Sequence, residues 1–266
     1  MTVELLISTM HQKDHSLLDR MNVASDAVVI NQCNRESREE LFHRGHQVIW
    51  INTTERGLSR SRNMAIHNAT ADICIIADDD MEYRPDYAQQ ALSAFDLNDA
   101  DIIGFQVMGI EKEFKKYSPD ECRVSYLKSM KMASVELAFR RSSIIENSIR
   151  FDELLGAGTD FLMGEENAFL FHCLKEKLRI YYLPQVIADL HVGQSSWFTK
   201  RDEQYFVGKG AAFTAMSTPF ATLLILQYAI RKIKLFQKDT PLPVAIRQMF
   251  KGKRLYIQKR GNQNDT

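Results

Sequence analysis

The segment Asp72-Ile-Cys-Ile-Ile-Ala-Asp-Asp-Asp80 joins an apolar run directly to three consecutive carboxylates. An uninterrupted apolar run of this length predicts a strand of a parallel sheet that is covered on both faces. Alternate residues of an extended chain point to opposite faces, so Asp78 and Asp80 share one face and Asp79 points to the other. Two carboxylates that converge at a strand end repel each other unless a cation lies between them, and Mg²⁺ or Mn²⁺ would also hold a diphosphate. A solvated acidic turn is the alternative, and the position directly after a buried strand favours the metal site.

The same strand-and-helix alternation extends over the first hundred residues. Predicted strands cover residues 3–8, 27–30, 48–51 and 72–77, and predicted helices cover residues 15–21, 37–43 (ended by Gly45), 58–69 and 85–95. This alternation predicts an α/β fold in which right-handed crossovers connect parallel strands. Ligands of such sheets bind beyond the carboxyl ends of the strands. The residues that follow the strands, from Thr9 and Gln32 to the Asp78–Asp80 triplet, are therefore candidates for a binding site.

Beyond residue 103 the pattern is less regular. It predicts strands over residues 135–139, 180–183 and 186–188 and a helix over residues 167–175.

Three further groups contain residues that could bind a ligand or take part in catalysis. In Arg56-Gly-Leu-Ser-Arg-Ser-Arg-Asn63, Gly57 allows a tight loop, Ser59 offers a hydroxyl, and Arg62 offers a guanidinium for phosphate oxygens. Gly164 is followed by Glu165 and Glu166 at the start of a predicted helix, where first-turn acidic enrichment is the simpler explanation. His191 closes the last predicted strand; such a histidine is usually structural, and near Asp80 it would favour Mn²⁺ over Mg²⁺. The chain has neither GxGxxG nor GxxxxGK[ST], which disfavours dinucleotide-binding and P-loop enzymes.

The charge distribution divides the chain near residue 195. The 34 Lys and Arg balance the 34 Asp and Glu, but residues 197–266 hold 13 of the basic and 4 of the acidic residues. Residues 196–266 are therefore predicted to form a basic, amphipathic helical tail that contacts an anionic membrane surface or packs on the body of the protein. No apolar run reaches the length of about 20 residues that spans a bilayer. Without a basic, apolar leader at Met1, a cytoplasmic protein is expected, with peripheral contact at the inner membrane face.

Cysteine usage and the tail exclude other classes. Four cysteines without a CxxC pair argue against a disulfide-stapled module and a structural zinc site. The basic tail has no accompanying aromatic stacking motif or recognition helix, so no nucleic-acid partner is expected.

With these positions in view, residues 3–195 resemble the GT-A glycosyltransferases of family 2, the bacterial inverting nucleotide-sugar transferases of polysaccharide synthesis. The resemblance rests on four landmarks in order: Ser8-Thr9, the loop from Gly57 to Asn63, the Asp78–Asp80 triplet, and Gly164-Glu165-Glu166 followed by His191. It implies a Rossmann-like, mostly parallel sheet with flanking helices. Residues 1–110 would form the nucleotide-sugar half of the catalytic domain, and residues 111–195 the acceptor half.

The resemblance also implies roles for individual residues. The nucleotide, most often uridine diphosphate, would be bound by Thr9, Gln32, Glu55, Gly57, Ser59, Arg62, Asp78 and Asp79. Asp80 would ligate Mn²⁺ or Mg²⁺, with His191 as a further ligand of metal or diphosphate. Glu166 would be the catalytic base, with Glu165 as the other candidate. The Gln-x-x-Arg-Trp signature of processive synthases is missing, so transfer of one sugar to a saccharide acceptor, in particular a lipid-linked one, is expected.

Two other functions fit part of the pattern. A sugar-phosphate nucleotidyltransferase would need a glycine-rich, basic loop after the first strand, and residues 8–14 contain no glycine. A non-catalytic nucleotide-sugar or carbohydrate-binding module would not need the carboxylates that this chain retains.

Overall fold

The computed structural model describes residues 1–192 and 201–264 of the chain. These residues form two compact units. The first contains residues 1–56, 60–150 and 173–192, and the second contains residues 57–59, 151–172 and 201–264. The predicted boundary between residues 195 and 196 lies outside the described residues, and the division into catalytic domain and tail stays a prediction.

The first unit is built on one sheet. Its strands are β1 (Val3–Met10), β2 (Asp26–Gln32), β3 (Ser37–His43), β4 (His46–Thr53), β5 (Ile73–Asp78), β6 (Met81–Tyr83), β7 (Ile102–Gly109), β8 (Cys122–Arg123), β9 (Leu137–Arg140) and β10 (Ile180–Leu190). Their order is β3-β4-β2-β1-β5-β9-β7-β10-β6, and β8 pairs with β10. Strands β1, β2, β4, β5, β7 and β10 run in one direction, and the other four run against them. The predicted, mostly parallel α/β sheet is confirmed.

The described helices flank this sheet or follow it in the chain. They are α1 (Leu17–Arg20), α2 (Leu58–Asn68), α3 (Tyr87–Leu97), α4 (Tyr126–Ser129), α5 (Arg141–Glu146), α6 (Glu165–Lys175), α7 (Glu203–Met216), α8 (Ala221–Arg231), α9 (Ile233–Phe236) and α10 (Leu242–Asn264). The predicted helices over residues 58–69, 85–95 and 167–175 correspond to α2, α3 and α6, with ends that differ by a few residues.

The central strands are buried on both faces, as their apolar runs predict. Leu5 and Leu6 of β1 and Ile75 and Ile76 of β5 are completely buried although neighbours along a strand point to opposite sides. Helices must therefore cover both faces, and the carboxyl ends of the strands are left as the accessible edge for a ligand.

The helix predicted over residues 37–43 is wrong. This segment is β3, an edge strand that pairs antiparallel with β4, for example Leu41 opposite Val48. Arg44 and Gly45 both have positive φ, at 50° and 85°, as the central residues of a type I′ hairpin turn do. Gly45 therefore closes a hairpin rather than a helix. The helix-forming Glu and Leu side chains suggested a helix, and pairing with β4 overrides that local preference.

The later strands also differ in detail from the prediction. Residues 180–183 and 186–188 belong to one strand, β10, whose register with β7 shifts twice between Tyr182 and Ala188. Val135 lies in a 3-10 turn (Ser134–Glu136) before β9, and β9 inserts antiparallel between β5 and β7.

The second unit contains the C-terminal helices, so the predicted helical extension is confirmed. Helices α7 and α10 pack with their backbones in close contact at Gly210 and Gly252. A Cβ atom at Gly210 would overlap the carbonyl of Met249, and one at Gly252 would overlap the carbonyl of Val207. In the part of the chain that the structure describes, no helix is long and apolar enough to cross a membrane.

Candidate functional site

The carboxyl ends of four parallel strands are aligned at one edge of the first unit. Ser8 of β1 is opposite Asp78 of β5, and Gln32 of β2 is opposite both Met10 of β1 and Thr53 of β4. Four segments of the predicted site are thereby brought to the same edge. The alignment follows from the parallel direction of these strands, which the spacing of strands and helices predicted.

The three aspartates have different surroundings. Asp78 accepts hydrogen bonds of 3.0 and 3.3 Å from Nη2 of Arg62. Asp79 accepts a hydrogen bond of 2.5 Å from Oγ1 of the buried Thr9. Asp80 follows, and its backbone carbonyl accepts the backbone N–H of His191 at 2.9 Å. The triplet is therefore tied to β1, α2 and the end of β10.

The carboxyl group of Asp80 is poorly compensated by its surroundings. Burial, followed by the charges of Asp78 and Asp79, raises the pKa of Asp80 to about 6. Its Oδ1 atom is buried and has no hydrogen-bond partner among the described residues. A buried carboxylate oxygen without a partner is costly, because it has lost water and gained nothing in exchange.

A divalent cation would compensate this carboxyl group, and the donor set fits one. The triplet supplies carboxylate oxygens, which Mg²⁺ and Mn²⁺ accept readily. Within residues 1–192 and 201–264, no three His, Cys, Asp or Glu side chains converge as a complete metal cage.

His191 has both ring nitrogens close to carboxylates of the same unit. Its Nδ1 lies 2.9 Å from Oε1 of Glu111, and its Nε2 lies 3.0 Å from Oε1 of Glu82. These hydrogen bonds raise the pKa of the exposed His191, and the bond to Glu111 has the larger effect. Its ring is therefore held as a partner of Glu82 and Glu111, and ligation of a metal would require it to leave one of them.

Arg62 is buried rather than available at the surface. It is completely buried, and Nη2 also donates to Oγ of Ser134 at 2.8 Å. The guanidinium therefore binds Asp78 from the buried interior of the first unit. The structure pairs Arg62 with an aspartate of the triplet, and the predicted contact between Arg62 and the nucleotide stays a prediction.

The loop after β1 is held by a network of buried amides that sequence reasoning did not assign. Asn31 accepts from the backbone N–H of Gln12 at 3.0 Å and donates to Oδ1 of Asn52 at 2.7 Å. Gln12 in turn donates to Oγ1 of Thr9 at 2.9 Å. The available signal was the position of Asn31 and Asn52 near the ends of β2 and β4.

Two predicted nucleotide contacts occupy the same edge in different settings. Gln32 is buried at the end of β2, whereas Glu55 is exposed after β4 and donates its backbone N–H to Oγ1 of Thr53 at 3.1 Å. Arg56, which the sequence did not single out as a site residue, donates to the carbonyls of residues 53, 54 and 55 and fixes this turn.

The remaining predicted residues belong to the second unit. Oγ of Ser59 donates to the carbonyl of Leu155 at 2.7 Å, and Gly158 lies against Gly57. Gly156 has a φ of 100°, and a Cβ atom there would come within 3.2 Å of Cδ of Glu165. The loop at residues 156–158 therefore packs on residues 57–59, with Glu165 buried beside it.

Glu165 and Glu166 differ in exposure. Both open helix α6, where the N-terminal end of the helix stabilises negative charge. Glu165 is buried, whereas Glu166 is only partly buried. Of the two candidates for the base, Glu166 is thus the more accessible to a substrate.

The same edge of the first unit carries a cleft beside β10. It has a volume of about 360 Å³ and is lined by the end of β7 and the loop that follows, at residues 106–109, 113–115 and 117–119. Tyr117 anchors the loop, because its hydroxyl bonds both the N–H and the carbonyl of Val107. Its ring stacks on that of Tyr182 with centroids 6.4 Å apart.

Comparisons with known proteins agree with this architecture. The model of glycosyl transferase family 2 matches residues 15–161, which is more than half of the chain. A search of curated protein sequences gave no significant match.

Solved structures with a similar fold include those of S. aureus TarS. Its complex with UDP has a TM-score of 0.61 at 12% identity and covers 90% of this chain and 74% of that one. The structure of TarS 1–349 alone has a TM-score of 0.60 at 11% identity and covers 97% of this chain and 92% of that one. The complex with UDP-GlcNAc has a TM-score of 0.58 at 13% identity and covers 90% of this chain and 74% of that one. At these identities the likeness shows the fold.

Proposed function

The chain belongs to glycosyltransferase family 2, and on that premise we propose that it is a metal-dependent, inverting enzyme that moves one sugar from a UDP-sugar to a saccharide acceptor. The observation that carries this proposal is the buried, unpartnered carboxylate oxygen of Asp80 beside two further aspartates. A diphosphate and its cation are the ligands that such a cluster suits.

In this proposal the ends of β1, β2 and β4 bind the nucleotide. Thr9, Gln32 and Glu55 contact base and ribose, together with the loop at Gly57 and Ser59. UDP is the proposed nucleotide because the similarly folded TarS has been crystallised with UDP and with UDP-GlcNAc. Arg62 acts indirectly, since its ion pair with Asp78 fixes the orientation of that carboxylate.

The proposed cation is Mn²⁺ or Mg²⁺, with Asp80 as its protein ligand. When bound, such an ion neutralises charge that develops on a leaving diphosphate. Asp79 is held by Thr9, and Asp78 is held by Arg62, so both carboxylates are fixed in position next to Asp80. His191 is the second proposed ligand of metal or diphosphate; one ring nitrogen would leave its glutamate for that ligand, and the other would keep its glutamate and orient the ring.

Glu166 is the proposed general base. Its carboxylate would take a proton from the acceptor hydroxyl as that oxygen attacks the anomeric carbon, with inversion of configuration. Glu165 is buried against Gly156 and would hold the loop in place. The acceptor is proposed to be a saccharide, and the cleft beside β10 is its proposed location because its lining combines the aromatic rings of Phe114 and Tyr117 with polar side chains.

The proposed acceptor is lipid-linked, in the synthesis of a cell-surface polysaccharide. A peripheral enzyme at the inner membrane face would meet such an acceptor, and the basic C-terminal helices supply charge for that contact.

The deciding experiment measures nucleotide binding by thermal shift, because a ligand that binds the folded state raises its melting temperature. UDP with Mn²⁺ should raise the melting temperature of the wild type, and UDP with EDTA should raise it much less. Asp80→Asn should lose the Mn²⁺-dependent part, and Asp96→Asn, at an exposed position of α3, should keep it. An equal shift with EDTA, or an unchanged shift in Asp80→Asn, would overturn the metal site.

The base is tested separately by the release of UDP from UDP-GlcNAc in the presence of Mn²⁺. Glu166→Gln should keep the thermal shift with UDP and Mn²⁺ and lose turnover. Full turnover in Glu166→Gln together with its loss in Glu165→Gln would assign the base to Glu165. Binding of the nucleotide sugar without any turnover in the wild type would favour the non-catalytic binding module.

A further inference from the structure

Helix α8 of the second unit is apolar on two opposite sides, and only one of these is covered. Ala221, Ile225 and Ala229 are completely buried. Phe220, Leu223, Leu226 and Ile230 are instead 40% to 69% exposed. A helix that is apolar all round normally lies in a protein interior or at a membrane.

The four exposed side chains form one stripe. Successive residues of an α-helix turn by about 100°, so these four lie within an arc of about 120°. Leu235 of α9, which is half exposed, follows the same stretch of chain. Four exposed apolar side chains on one arc, with Gln227 as a polar residue among them, differ from the scattered single apolar residues that a soluble surface tolerates.

The surroundings of the stripe are basic. Arg231, Lys232, Lys234 and Lys238 are all exposed, and Asp239 is the only acidic residue from 218 to 239. A fifth cation, Lys253 of α10, donates from Nζ to Oγ1 of Thr222 at 2.8 Å, directly beside Leu223. Both ends of the stripe therefore carry positive charge.

We propose that the exposed face of α8 and α9, formed by Phe220, Leu223, Leu226, Ile230 and Leu235 with their basic neighbours, is a docking surface for an anionic lipid bilayer. The apolar side chains enter the boundary between headgroups and acyl chains, and the lysines and arginine contact lipid phosphates. The helix lies along the membrane, since its 11 residues are too few to cross it. The charge of the surface favours an anionic membrane over a second copy of this chain, whose matching face would be equally basic.

The biological role of this surface, bringing the enzyme to a lipid-linked acceptor, rests on the proposed function. Binding to vesicles requires neither donor nor metal. Loss of UDP binding in Asp80→Asn and loss of vesicle binding are therefore separate results, and one can fail without the other.

The test is co-sedimentation of the full chain with vesicles of phosphatidylcholine alone and of phosphatidylcholine mixed with phosphatidylglycerol. The wild type should bind the mixed vesicles, less so at high salt, and should bind pure phosphatidylcholine weakly. Leu223→Ser combined with Ile230→Ser should weaken binding about tenfold or more, because two apolar side chains no longer leave water. Lys232→Gln combined with Lys234→Gln should weaken binding to the mixed vesicles and remove much of its salt dependence.

A matched control separates the stripe from general surface apolarity. Leu97 and Phe42 of the first unit are each more exposed than Leu223 and Ile230, and Leu97→Ser combined with Phe42→Ser should bind vesicles as the wild type does. Circular dichroism and the melting temperature establish that each variant is folded.

Three results would overturn the proposal. The first is a wild type that does not bind the mixed vesicles. The second is unchanged binding by the folded Leu223→Ser and Ile230→Ser variant. The third is a wild-type dimer that this variant dissociates while vesicles fail to bind, which would assign the surface to a second copy of the chain.

Discussion

Replacing Arg62 by Met tests whether the aspartate triplet is held from beneath by a buried ion pair. The guanidinium is completely buried, and its Nη2 atom donates to both oxygens of Asp78 and to Ser134. Methionine keeps much of the volume of the side chain and removes its charge and donors. Asp78 then keeps its negative charge next to Asp79 and Asp80 and loses its cation.

The expected loss follows from the burial of the two partners. Removing one member of a buried ion pair costs about 3 to 5 kcal/mol, because the other charge remains uncompensated. The side chain of Asp78 is 24% exposed, against 1% for Arg62, so water can hydrate part of the freed carboxylate. We therefore expect Arg62→Met to lower the free energy of unfolding by about 3 kcal/mol, at the lower end of that range.

The assay is urea unfolding followed by circular dichroism, combined in a double-mutant cycle with Asp78→Asn. The cycle isolates the pair from the other contacts of Arg62. Arg38→Met is the control, because Arg38 pairs with Glu40 at 3.2 Å on the exposed strand β3, and such pairs contribute about 0 to 1 kcal/mol. A loss below about 1 kcal/mol in Arg62→Met, or a coupling energy near zero, would refute the buried pair.

Three further predictions concern the stability of each unit. Gly252→Ala should lower the free energy of unfolding by about 1 to 3 kcal/mol, because its Cβ would overlap the Val207 carbonyl and force α7 and α10 apart. Gly261→Ala in the same helix has open space around its Cβ and should raise the free energy of unfolding by about 0.5 to 1 kcal/mol. Equal effects of the two substitutions in urea unfolding would contradict the close contact. Tyr256→Phe should cost about 1.5 to 3 kcal/mol, because Asp152 loses a 2.5 Å hydrogen bond from the Tyr256 hydroxyl; an unchanged unfolding midpoint would argue against that bond. Burial raises the pKa of Glu4, so the folded state holds this proton more tightly, and stability from Glu4 falls as pH rises above 4.5. Glu4→Gln, which keeps an oxygen for the N–H groups of Thr70 and Ala71, should gain stability relative to the wild type from pH 4.5 upward, and melting curves with a constant difference across pH would exclude this linkage.

Local sequence was sufficient for most of the α/β pattern and insufficient for the hairpin. Apolar runs such as residues 73–77 predict buried strands because neither face of such a run can be left in water. Residues 37–43 have no such run, and only pairing with β4 holds them extended. Gly45 was therefore interpreted as the end of a helix, and the pairing with β4 shows that it belongs to a hairpin turn.

In the candidate site too, local sequence predicted some features and tertiary contacts decided others. The position of Asp78–Asp80 directly after a buried strand was enough to predict an acidic cluster at the carboxyl edge of the sheet. The partners of these carboxylates come from distant parts of the chain: Thr9 is 70 residues from Asp79, and Ser134 is 72 residues from Arg62. No local pattern encodes such pairs, so the sequence could not predict that Arg62 pairs with Asp78.

What the amino-acid sequence determined by itself was the family, the four parallel strands β1, β2, β4 and β5, and the location of the acidic triplet, because these depend on residue type and spacing. Tertiary structure alone decided which carboxylate is left without a partner, which glutamate is buried, and which side of α8 faces water. Burial and pairing depend on what packs against each residue, and in this fold those neighbours lie far away in the chain.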